Sequence, residues 1–221
     1  INRAFFPSPN PAAPMTPADY IDRHPGDLIG RLQRLVGFDT VNPPGDHYDG
    51  ITAWLTRELQ ALGVAARRHD VPVRLLRQTL PEAQWGHPRY NVLGKVRAPG
   101  ARRTLHFNAH YDVVPVSGQW RHGGAFSGAV EGGWIYGRGT ADMKGSIVSL
   151  LMALEAAKGC KLKYDISVAI TVDELVSSTT PDVTPPKAPV HDDALTASLN
   201  APNEVVPTTK GEEDAVAVVE S

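Results

Sequence analysis

Apolar residues in DLIGRLQRLVGF recur with helical spacing, which places Leu28, Ile29, Leu32, Leu35 and Val36 on one predicted face. A second stripe, Ile51, Trp54, Leu55, Leu59 and Leu62, runs through GITAWLTRELQALG, where Gly63 is a natural stop. NPPG at 42–45 breaks the chain between these two helices. Further on, the period changes to that of a strand. Leu105, Phe107 and Ala109 alternate with Thr104, His106 and Asn108, and Ile166, Val168, Ile170 and Val172 alternate in KYDISVAITVDE. YNVLGKV from Tyr90 reads as a short strand. SIVSLLMALEAAK reads as a helix apolar enough to pack on a sheet. No pattern between Val71 and Arg89 assigns an element.

Helices between strands predict an α/β fold, in which sites gather at the carboxyl ends of strands. Both strong strands end in side chains with chemistry: His110 and Asp112 after the first, Asp173 and Glu174 after the second. Residues 27–175 are the expected folded part. Residues 1–26 are proline-rich and expected to lack structure. Residues 176–221 hold no aromatic side chain and set eight acids against two lysines. Such a tail buries too little apolar surface to offset its ordering entropy, so it too is expected to be disordered.

Hydrophobic residues make up 42% of the 221 and charged residues 21%, which is enough for a core. The net charge of −2 gives no general attraction to nucleic acid or to an anionic membrane, so neither is an expected partner. No apolar run is long enough to span a bilayer. INRAFFPSPNPAAP lacks the charged start and long apolar middle of a signal peptide. A single cysteine, Cys160, allows no internal disulfide, and a cytoplasmic location is the expectation.

Histidine and carboxylate are side chains that Zn²⁺ accepts. His110 and Asp112 stand two apart at a strand end, so one can bind a metal while the other orients it. Asp142 lies where the glycine-rich GRGTADMKG enters a helix. Taken alone, each has a simpler reading: a surface hydrogen-bonded pair for His110 and Asp112, a helix cap for Asp142, a solvated strand end for Asp173 and Glu174. Arg138 and Lys144 flank Asp142 and suit either structural pairing or a substrate carboxylate. No phosphate-cradling loop is present, because GRGTADMKG has neither the Walker nor the dinucleotide spacing.

Together, AHYDVVP at 109–115, Trp120, Phe126, GGWIYGRGTADMKG at 132–145 and TVDE at 171–174 resemble one metallopeptidase family. It is the family of acetylornithine deacetylase, succinyl-diaminopimelate desuccinylase, aminoacylase and glutamate carboxypeptidase. FDTVNPPG at 38–45 is similar to its early segment, and the resemblance runs from Asp27 to Glu174. It implies a three-layer α/β/α zinc-exopeptidase-like sheet, here incomplete, so that 27–175 is a partial catalytic domain. It implies a pair of zinc ions, with Co²⁺ able to stand in, and hydrolysis of amide bonds in N-acyl amino acids or small peptides. His110 would bind one metal, Asp142 would bridge both, Asp112 would orient His110, and Glu174 would be the general base.

The resemblance then breaks. The family has a second glutamate where this chain has Leu175, and leucine offers no lone pair. The family continues into a lid or dimerisation domain and a late histidine ligand, which the polar tail is too short to supply. His191, Asp192 and Asp193 are either substitute ligands or solvated tail residues, and the acids of GEED at 211–214 are tail charge. The pattern is expected to end at Glu174, as in a truncated product with a misjoined or degraded gene end. Oligomeric state stays open. The alternative to a hydrolase is an inactive remnant that acts as a weak metal-binding or partner-binding module.

Overall fold

The computed structural model describes residues 15–172 and the backbone of Ala215–Ala217. Helix α1 (Pro17–Arg23) starts on a capping box: the Thr16 hydroxyl accepts from the Asp19 amide, and the Asp19 carboxylate accepts from the Thr16 amide. This helix lies inside the stretch expected to lack structure. Helix α2 (Pro25–Val36) buries Leu32, Leu35 and Val36, and α3 (Tyr48–Ala61) buries Ile51, Leu55 and Leu59, following the predicted stripes.

Strand β1 (Ala65–Asp70) was not foreseen. Only Ala66 of its six residues is buried, so the hydrophobic alternation that reveals a strand is missing. Helix α4 (Val73–Thr79) and a short 3₁₀ turn (Glu82–Gln84) occupy the stretch that had no assignment. Strands β2 (Tyr90–Val96) and β3 (Thr104–His110) follow, then the hairpin β4 (Ala129–Glu131) and β5 (Trp134–Tyr136). Helix α5 (Gly145–Ala156) leads to β6 (Asp165–Thr171), and the short β7 (Ala215–Ala217) pairs with β5.

The main sheet has the order β1-β2-β6-β3. Strand β6 runs antiparallel to β2 and parallel to β3. Val92 lies opposite Ile170, and Phe107 lies beside Val168, so Val92, Phe107, Val168 and Ile170 share a face. Val92, Val168 and Ile170 join residues of α2, α3 and α5 in one buried cluster. The fold is α/β, with a mixed sheet. Leu105 and Phe107 differ from expectation: they point to the core face yet are 48% and 36% exposed. Their strand is an edge strand, and among the described residues no strand pairs with its outer side. No helix of the described residues is long and apolar enough to cross a membrane.

The parallel pairing of β3 with β6 does the work for the site. It sets His110 beside Thr171, so the two strands end side by side.

Candidate metal centre

His110 closes β3 with its imidazole held from both sides. Nδ1 is 3.1 Å from the backbone oxygen of Asp112 and 3.3 Å from its carboxylate Oδ1. Nε2 is 3.1 Å from Oδ1 of Asp142. The His110 and Asp112 side chains are 14% and 11% exposed, whereas Asp142 is 80% exposed and opens the site to solvent. The Asp112 carboxylate, by its hydrogen bond, raises the His110 pKa to about 9; burial opposes this, and the charges of Asp112 and Asp142 add to it.

Asp142 reaches His110 from an irregular turn, Thr140–Lys144, in which its own backbone (φ −122°, ψ 99°) departs from helical geometry. The turn is entered through Gly139 at φ +85°, where a Cβ would lie 2.6 Å from Cγ1 of Val113. Glycine is needed there both for the dihedral and for the approach. Behind the turn, buried Lys144 donates from Nζ to the Phe38 oxygen at 2.7 Å. Burial pushes its pKa down to about 7, against the pull of Asp39 and Asp112. The His110 amide donates to Sδ of Met143 at 3.3 Å, which ties the turn to the strand end.

Asp112 is held by the segment at 40–42. Thr40 Oγ1 donates to the Tyr111 oxygen at 2.7 Å, the Val113 amide to the Thr40 oxygen at 3.0 Å, and the Asn42 amide to the Val113 oxygen at 2.8 Å. The Asn42 side chain then donates from Nδ2 to Oδ2 of Asp112 at 3.2 Å. Asn42 lies within FDTVNPPG, but no feature of that stretch in the sequence marks it as part of a site. Arg138 has a structural partner: its guanidinium lies 5.5 Å from the centre of the Trp120 ring.

Asp173, Glu174, Leu175, His191, Asp192 and Asp193 lie outside the described residues, as do the acids of GEED. Val172, which closes the described stretch 15–172, donates its amide to Oδ1 of Asn91 at 3.1 Å. Among the described residues no group of three or more His, Cys, Asp or Glu side chains could hold a metal ion. What converges is one imidazole nitrogen and one carboxylate, with a second carboxylate behind the imidazole. These donor types fit a zinc ion and furnish part of its usual set of four ligands.

Residues 106–197 match the sequence model for Peptidase family M20/M25/M40. Over this segment the chain is similar to that family. The match continues past Leu175, so the likeness does not stop at Glu174 as expected. A succinyl-diaminopimelate desuccinylase of Rhodopseudomonas palustris is 51% identical over 75 residues, which are 32% of this chain and 19% of that protein. An N-formyl-4-amino-5-aminomethyl-2-methylpyrimidine deformylase of Bacillus subtilis is 28% identical over 162 residues, 72% of this chain and 33% of that protein. The chain thus spans a third or less of the length of these relatives. The human carnosine dipeptidase 1 structure superposes with a TM-score of 0.55 at 24% identity, over 70% of this chain and 33% of that one, which supports the fold.

Proposed function

We propose that this chain carries the metal-holding part of an active site that hydrolyses amide bonds in N-acyl amino acids or small peptides. The observation that carries the reading is the convergence of His110 Nε2 and Asp142 Oδ1 at 3.1 Å, with Asp112 on the far side of the imidazole. His110 and Asp142 would hold divalent cations, zinc by their donor types, and Asp142, being largely exposed, has a free side on which to bridge a second. A bound cation supplies Lewis acidity toward the scissile carbonyl and makes water a better nucleophile near neutral pH.

The protein's own groups do the rest. Asp112 accepts the hydrogen bond from Nδ1 and so leaves Nε2, on the Asp142 side, as the nitrogen that would face a cation. Glu174 follows β6, whose end lies beside His110, and in this reading accepts a proton from the attacking water and delivers it to the departing amine. The names of the desuccinylase and the deformylase point to substrates bearing a small acyl group on nitrogen.

A second reading is a metal-binding module without turnover. It is favoured by Leu175, which stands where the resemblance places a metal-binding glutamate. Amine release from N-acetyl, N-formyl and N-succinyl amino acids and from dipeptides, in the presence of zinc, separates the two. The hydrolase reading expects release that stops with chelator and in Glu174→Gln. Zinc uptake with no release from any substrate leaves only the module.

A further inference from the structure

Among the described residues Arg89 is one of the largest fully buried side chains, at 1% exposure, and it lies on the opposite side of Asn42 from Asp112. Its guanidinium donates to the Pro44 oxygen at 2.9 Å, the His87 oxygen at 3.0 Å, Gln84 Oε1 at 3.1 Å and the Gly45 oxygen at 3.3 Å. It also sits 5.1 Å from the centre of the Tyr48 ring. Gly45, at φ +92°, is the residue the guanidinium packs against, and a Cβ there would collide with it. The loop at 42–45 is therefore moulded around one buried cation.

Asn42 stands between this cation and Asp112. Its Oδ1 is 3.5 Å from Nη2 of Arg89, and its Nδ2 is 3.2 Å from Oδ2 of Asp112. A guanidinium has no acceptor and an ionised carboxylate has no donor. Only one orientation of the amide satisfies both neighbours, with oxygen toward Arg89 and nitrogen toward Asp112. The other Asp112 oxygen faces Nδ1 of His110.

We propose that Asn42 and Arg89 are positioning residues of the metal centre, Arg89 setting the Asn42 amide and Asn42 in turn setting the Asp112 carboxylate that aims His110. The claim about zinc rests on the proposed function, while the claim about the His110 ring does not. Asn42→Asp is the discriminating variant. It keeps the shape of the side chain and its contact with Arg89, but replaces the donor facing Asp112 with a second carboxylate oxygen.

The test measures three quantities on the 221-residue chain: the urea midpoint, the zinc affinity, and the imidazole NMR signals of His110 in the metal-free protein. The expected result is a retained cooperative transition with a midpoint lowered by the facing carboxylates, zinc affinity weaker by about 10-fold or more, and His110 ring signals shifted or broadened while those of His122 stay in place. Asn42→Ala, which removes the amide without adding charge, should change the His110 ring signals as well. Wild-type zinc affinity together with wild-type His110 signals in Asn42→Asp overturns the proposal. If the wild-type chain takes up no zinc, the metal reading fails and the His110 ring signals alone decide the positioning claim.

Discussion

His110 and Asp142 are 32 positions apart, yet Nε2 of one lies 3.1 Å from Oδ1 of the other. The strand end and the turn after Gly139 supply the two halves of this contact, and Asp112 fixes the ring between them. Replacing Asp112 with alanine removes no proposed ligand. It is expected to weaken zinc binding by about 10- to 100-fold while the far-ultraviolet circular dichroism is retained. Isothermal titration of both proteins with zinc measures the difference.

Leu55 is fully buried on α3 within the cluster that also holds Val92 and Ile170. Leu55→Ala removes that packing and leaves a cavity. A loss of about 2–5 kcal/mol in unfolding free energy is expected from urea titration.

The parts of the site legible in the sequence were those whose chemistry is local. His110, Asp112 and Asp142 stand at a strand end or in a glycine-rich turn, and their residue types name the chemistry directly. The helical stripes of α2 and α3 were equally visible because burial follows their period. Strand β1 was not, since a polar edge strand carries no alternation. Arg89 and Asn42 were invisible as a pair because the contact joins positions 47 apart through a loop, which no period encodes. Alternation gave the correct face for Leu105 and Phe107 but not their burial, because burial depends on what lies next to the strand.

Asp165 supplies a pH dependence remote from the metal centre. Its carboxylate accepts from the Ala98 amide at 2.9 Å and from Arg97 Nη1 at 2.8 Å, with Lys95 Nζ at 3.7 Å. The Ala98 bond first, and then Arg97 and Lys95, hold its pKa below the usual carboxylate value. Its stabilisation is therefore present above the unfolded value of about 3.9 and is lost as pH falls through the lower folded value. Asp165→Asn should lower the urea midpoint at pH 7, and the gap to wild type should close on acidification.

Strand β3 exposes Leu105 and Phe107 along an edge that no described strand pairs. Exposed apolar side chains on an open edge favour association with other strands. Sedimentation velocity is expected to show concentration-dependent association of the wild-type chain, reduced by Phe107→Lys.

The most direct test of the metal centre is an anomalous difference map at the zinc edge from crystals of the zinc-loaded chain. A peak is expected about 2 Å from His110 Nε2 and from an Asp142 carboxylate oxygen, with Asp112 still on Nδ1. A zinc peak bound elsewhere, with His110 and Asp142 still hydrogen-bonded to each other, would contradict it.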